Sequence, residues 1–216
     1  MSRKQLGALA ALGLTSCSPD AATALRDGLT AKDCSRVPGE DLREACWIEV
    51  HRCDQVESER GRADCEFRVA EAKGDPEGCS RAGPWVDDCR LHVWSASFHD
   101  WAPKGKTLAE AEPIVTAELD GYGFAADDPR PWSAWYRWSL GRMRPLDRAA
   151  CREIAAPDHR EACLQTGLAL YGDLLNVARD RHLYPCDGGP LPGLLQSTPD
   201  PELDALRASR TDLCPG

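Results

Sequence analysis

A repeat bounded by cysteines runs through the chain and narrows its possible folds at once. Cys34-Ser-Arg-Val37 leads to Cys46, Cys53-Asp-Gln-Val56 to Cys65, and Cys79-Ser-Arg-Ala82 to Cys89. Each copy opens with cysteine and places an aliphatic side chain three residues on. Each closes with a second cysteine and a fixed tail: Cys46-Trp-Ile48-Glu-Val50, Cys65-Glu-Phe67-Arg-Val69, Cys89-Arg-Leu91-His-Val93. A fourth copy, Cys151-Arg-Glu-Ile154 to Cys163, keeps the spacing and shares its Arg-Glu-Ala-Cys approach with Arg43 to Cys46. In its tail, Gln165 and Gly167 replace the aliphatic pair. Units of this length accommodate one helix and a connecting loop.

The tail alternates with period two, which a half-buried strand would also do. The flanks, Glu40-Asp-Leu-Arg-Glu-Ala45 and Ala70-Glu-Ala-Lys73, are good helix formers and poor strand formers, so the expected class is all-α, with antiparallel helical hairpins stapled by sequential disulfides. Start signals agree: Asp158 with Glu161 resembles a capping box, Ser58 an N-cap, and Pro84 a first-turn proline. Leu164, Leu168, Tyr171, Leu175 and Ala178 form an apolar stripe on one helix face. Lys104 to Gly121 reads as a helix interrupted at Pro113, 121–129 as a loop, and Pro131 to Leu140 as a helix. The tail 185–201 reads as an extended loop before a short helix, Glu202 to Ser209.

On the helical reading, the first cysteine of each copy lies at or beyond one helix end and the second in the next helix. Cys46 with Cys53 is the obvious competitor. Seven residues along a helix separate them by about 10.5 Å, beyond the limit of about 7 Å between the Cα atoms of a disulfide. The expected pairs are therefore Cys34–Cys46, Cys53–Cys65, Cys79–Cys89, Cys151–Cys163 and, by remainder, Cys186–Cys214.

That leaves one of 11 cysteines, Cys17, to explain. It closes the segment MSRKQLGALAALGLTSC, where Arg3 and Lys4 precede an apolar run from Leu6 to Leu14. This is the layout of an export signal, and it is too short to span a bilayer, which takes roughly 20 residues. Leu14-Thr15-Ser16-Cys17 resembles the lipobox of bacterial lipoproteins. The resemblance implies cleavage before Cys17 and lipidation of its thiol, so that the chain meets the membrane through its lipid anchor. Ser18 is not the aspartate that retains such proteins in the inner membrane of enteric bacteria, so by the same resemblance the expected address is the outer membrane, on its periplasmic or surface face. The implied organisation is a leader over 1–16, a lipidated tether over 17–23, and one disulfide-rich helical domain over 24–216, which could divide into halves 24–102 and 130–216.

About 200 residues after such cleavage suffice for a real core. The formal charge of −9 becomes more negative once Arg3 and Lys4 leave. A surface of that sign repels nucleic acid and anionic headgroups, so no nucleic-acid partner is expected. Motifs for chemistry are sparse. His92 and His99, seven apart, would sit about 10.5 Å from each other on one helix, too far for one ion to bridge unaided. Ser95 and Ser97 near His99 lack a nucleophile elbow, and Gly121-Tyr-Gly123 is too short for a phosphate loop. Asp87-Asp88 and Asp127-Asp128 read as solvated surface in a chain with 35 acidic residues. No catalytic residue, metal ligand or cofactor is expected.

The tryptophans carry more. Of seven, Trp132, Trp135 and Trp138 fall close together at steps of three, bordered by Arg130, Arg137 and Arg142. Such a stripe serves as core, or as a surface for sugars, cations or partner side chains. The mature part is similar to cysteine-stapled helical repeats of exported bacterial and archaeal proteins, a resemblance that implies fold and no activity. The expected function is a non-enzymatic binding or scaffold module for an envelope protein or glycan, because stacked helices offer a preorganised surface. The alternative is an extracytoplasmic hydrolase whose site no motif reveals.

Overall fold

The computed structural model describes residues 19–125 and 127–214, so the expected leader and the expected lipidation at Cys17 lie outside the described residues. Those described are all-α with no strand; a single parallel bridge joins Leu146 and Ser197. The chain divides into two compact units between Trp94 and Ser95. Five disulfides join cysteines 34–46, 53–65, 79–89, 151–163 and 186–214, with Cα separations of 5.5 to 5.8 Å. Disulfides in this number mark an oxidising, extracytoplasmic compartment.

The first unit contains α1 (Pro19–Ala31), α2 (Glu40–Glu49), α3 (Glu59–Lys73) and most of α4 (Val86–Ala96). Helix α1 begins inside the stretch expected as tether. Pro19 and the acidic Asp20 suit a first turn, and alanines propagate it. Consecutive helices pack on one another, and each opening cysteine lies in the turn just before the helix that carries its partner.

The turn has the same construction in all four copies. The backbone N–H of the aliphatic residue donates to the cysteine carbonyl three residues earlier: Val37 to Cys34 (3.0 Å), Val56 to Cys53 (3.3 Å), Ala82 to Cys79 (2.9 Å) and Ile154 to Cys151 (3.2 Å). All four aliphatic side chains are buried. In three copies an arginine one helical turn before the closing cysteine reaches back to that residue's carbonyl. Arg43 bonds Val37 O (3.4 Å), Arg62 bonds Val56 O (3.0 Å) and Arg160 bonds Ile154 O (3.0 Å). Cysteine, aliphatic residue and arginine thus fasten one turn to one helix. In the first unit Leu25, Val37, Trp47 and Val56 close around the 34–46 and 53–65 disulfides as a core.

The second unit contains α5 (Phe98–Trp101), α6 (Leu108–Tyr122), α7 (Pro129–Arg142), α8 (Pro157–Asp180) and α9 (Pro201–Ser209). Helix α6 runs through Pro113 without interruption; the proline removes a single amide donor near the helix start. The capping box lies here, between Thr107 and Glu110, and Gly123 ends the helix in the left-handed region at φ 68°. No box forms at Asp158, because α8 starts at Pro157 and Ala156 stands at its N-cap without a side-chain bond.

The buried face of α8 begins at Cys163 and Gly167, one position before Leu164 and Leu168, then continues through Tyr171, Leu175 and Ala178. Gly167 explains the offset. A Cβ there would stand 3.1 Å from Cγ of Arg148, which crosses the helix at this point. Arg148, 3% exposed, donates to both carboxylate oxygens of buried Asp200 (3.0 and 2.9 Å), to the Leu164 carbonyl (2.8 Å), and to Glu202. Asp200 also caps α9 through the Glu202 and Leu203 amides. Burial opposes ionisation of Asp200, but Arg148 and those amides outweigh it and hold its pKa below the ordinary 3.8. At position 167 the fourth copy has no aliphatic side chain because the stem of Arg148 occupies the space.

Candidate functional site

Asp128 starts α7 by accepting the Arg130 amide at 2.9 Å, and Pro129 pre-sets the first turn. The three tryptophans then follow at steps of three, and the structure separates them. Trp132 and Trp135 are buried, 6% and 2% exposed, whereas Trp138 is half-buried. Trp132 packs against Tyr136, with ring centres 5.8 Å apart, and against His159 at 4.0 Å. Trp135 stacks on Trp138 at 5.4 Å and 24°, and Phe98 meets both edge-on at 5.7 and 5.5 Å. Of the expected surface, only the Trp138 end is presented to solvent.

Beside it lies a half-open groove of about 390 Å³. Its floor comes from Leu108 and Ala111 of α6, Trp135 and Trp138 of α7, and Met143 just after it. His99, Lys104, Lys106 and Arg142 line it as well, and no carboxylate does. Thr107 positions the two lysines by capping α6 immediately after them, which leaves the expected helical stretch 104–107 as a loop. Arg142 is placed by the last turn of α7, with its guanidinium carbon 4.9 Å from the centre of the Trp138 ring.

The other arginines near the tryptophans are engaged. Arg130 binds Asp128 at 2.8 Å, and its hydrogen bonds hold the Asp128 pKa below the ordinary value against the opposing effect of burial. Arg137 binds Asp173 at 2.6 Å. Arg142, Lys104 and Lys106 are exposed and have no carboxylate within ion-pair distance among the described residues. Arg142 stands beside the tryptophans in the sequence, whereas the lysines do not, because only folding brings the 104–106 loop beside the end of α7.

A histidine–carboxylate pair stands elsewhere in the second unit. His159 Nδ1 lies 2.5 Å from Glu112, both partly buried, with Trp132 over the imidazole. Tyr136 is nearby; burial first, and the Glu112 charge second, push its hydroxyl well above the ordinary 10.0. That hydroxyl is closed off from solvent and has no hydrogen-bond partner among the described residues, so it is held neutral. His92 Nδ1 lies 3.2 Å from Glu71, and the His99 ring meets Trp138 edge-on at 5.8 Å. Among the described residues no group of three or more His, Cys, Asp or Glu side chains could hold a metal ion, and no helix is long and apolar enough to cross a membrane.

No protein-family model, curated protein or solved structure matches this chain.

Proposed function

We propose that the chain is a lipid-anchored envelope protein that binds a protein or glycan partner through the Trp138 groove and catalyses no reaction on it. The supporting observation is the grouping of Arg142, Lys104 and Lys106, exposed and without carboxylate partners among the described residues, around an aromatic floor in a chain of net charge −9. A cationic rim on an acidic protein raises the local concentration of anionic ligands and orients their approach. Histidine reaches this groove, but no carboxylate lines it to orient the imidazole as a base. The test is crosslinking in intact cells, comparing wild type with Trp138→Ala and Arg142→Glu. Both variants should lose the same co-purifying partner while keeping wild-type melting; unchanged recovery in both refutes the reading.

The anchor is the second part of the proposal and rests on Leu14-Thr15-Ser16-Cys17. Cys17→Ala should abolish incorporation of labelled fatty acid and cleavage of the leader, and Ser18 favours the outer membrane as destination. A variant that still labels and fractionates with membranes is incompatible with lipidation at Cys17.

An extracytoplasmic hydrolase is the second reading. The Glu112–His159 pair favours it, since a carboxylate-oriented imidazole is the usual general base of such enzymes. It requires ester or glycoside turnover that disappears in His159→Gln; turnover insensitive to that change removes the reading.

A further inference from the structure

We infer that the Trp138 groove takes an acidic peptide segment of a partner protein. Its carboxylates would meet Arg142, Lys104 and Lys106, and an adjoining apolar side chain would fill the floor between Leu108 and Met143. The inference deepens the binding reading above and rests on it.

The sign of the ligand follows from the lining, which carries cationic side chains and no acidic one. Its class follows from Trp138. A sugar ring binds tryptophan by lying on an open indole face, and here the indole already has a ring and a guanidinium against it. Trp135, one turn earlier on α7, stacks on it at 5.4 Å, and Arg142, one turn later, covers it at 4.9 Å. What the groove offers instead is a guanidinium over an aromatic ring, its central carbon 4.9 Å from the ring centre. Arg142 is exposed, so its paired N–H donors are available for a carboxylate, and contact with the ring limits the rotamer freedom that binding would otherwise remove. Lys104 and Lys106 supply compact charges that need no fixed orientation, which suits neighbouring acidic side chains on a flexible segment. Tryptophan, methionine and arginine are the residue types enriched where proteins bind one another, and Trp138, Arg142 and Met143 come together here. The volume, about 390 Å³, fits an anchoring side chain and its neighbours, in the lower part of the usual range for binding pockets.

The test titrates the full-length, disulfide-intact protein with a short dye-labelled peptide of glutamate and leucine, followed by fluorescence anisotropy. The counterpart in which lysine replaces glutamate, and oligogalacturonate as an acidic sugar, serve as comparisons. Expected are binding of the glutamate–leucine peptide, weakening as salt screens the charges, and affinity about tenfold or more lower in Arg142→Glu, the scale expected when a charge-assisted hydrogen bond is replaced by like-charge repulsion. Arg142→Lys should fall between the two, because charge remains while the flat donor pair is gone. Circular dichroism and melting should be unchanged in both variants, since Arg142 is exposed. The inference is overturned if the peptide does not bind, if the lysine peptide binds as well, or if Arg142→Glu binds like wild type. Oligogalacturonate binding instead of the peptide, and abolished in Arg142→Glu, overturns the choice of ligand and leaves the groove a binding site. If neither probe binds and crosslinked partner recovery also ignores Arg142→Glu and Trp138→Ala, the binding reading falls with it.

Discussion

Among single residues, Arg148 carries the most electrostatic weight, because it is charged, almost fully buried and bonded on every side. Its two bonds to Asp200 link the turn that bears Cys151 to the start of α9. Removing one partner of a buried pair leaves the other uncompensated and costs about 3–5 kcal/mol, so Arg148→Met should lower unfolding free energy in urea by that amount. Glu202, 64% exposed, is screened by water, and Glu202→Gln should cost under about 1 kcal/mol. Gly167→Ala should cost roughly 1–3 kcal/mol, because the added methyl meets Arg148 and Leu140 at 3.1 and 3.2 Å. Asp200 also sets a direction with pH. Its folded pKa is depressed, so its stabilisation is complete above the ordinary value of 3.8 and is lost as pH falls through the lower folded value. Denaturation midpoints of wild type and Asp200→Asn should therefore converge below about pH 4 and diverge above it; a gap that stays constant down the acid range contradicts this account. None of this was readable beforehand: an arginine and an aspartate 52 residues apart give no sequence signal of burial. The trace they left was a glycine where the repeat required an aliphatic side chain.

Among the elements, the repeated turn was largely visible in the sequence and the tryptophan helix only partly so. Cysteine spacing and the aliphatic residue three positions on are local patterns, and the cysteine turns they specify are local as well. The arginine was visible too, as the approach to Cys46 and Cys163, although its role in bonding the Val37 and Ile154 carbonyls needed coordinates. Arg62→Ala should cost about 1 kcal/mol, near the typical net value of one hydrogen bond, and Arg62→Lys should recover only part, since Arg62 gives two donors to the Val56 carbonyl. On α7 a step of three fixed which side the indoles share but not how far each is covered, which depends on Phe98, His159 and α8. Trp132→Ala and Trp135→Ala should cost about 3–5 kcal/mol in thermal or urea unfolding, as buried aromatics do. Trp138→Ala should leave stability nearly unchanged by comparison. Equal destabilisation by all three would make α7 a wholly structural helix.

For the molecule as a whole, disulfides supply order that a chain of short helices finds hard to reach by burial alone. Helices of ten to fifteen residues are marginal in isolation and depend on packing. The all-α class and its sequential staples were legible because both follow from periodicity and cysteine spacing. The division at Trp94 falls inside α4, where neither glycine nor proline marks a boundary. Four of the disulfides close loops of sequence separation 10 or 12, and the fifth closes one of 28. In the chain-entropy description each short loop contributes roughly 3 kcal/mol, against a net stability of about 5–15 kcal/mol for a typical domain. Loss of one staple should therefore be survivable and loss of all should not. Cys53→Ala with Cys65→Ala should lower unfolding free energy by about 3 kcal/mol while keeping a helical circular dichroism spectrum. Full reduction under native conditions should abolish the cooperative melting transition, and reoxidation should restore it together with the five native pairs in a non-reducing peptide map. A reduced protein that melts cooperatively near the oxidised temperature would show that packing alone suffices, and that the staples serve some purpose other than stability.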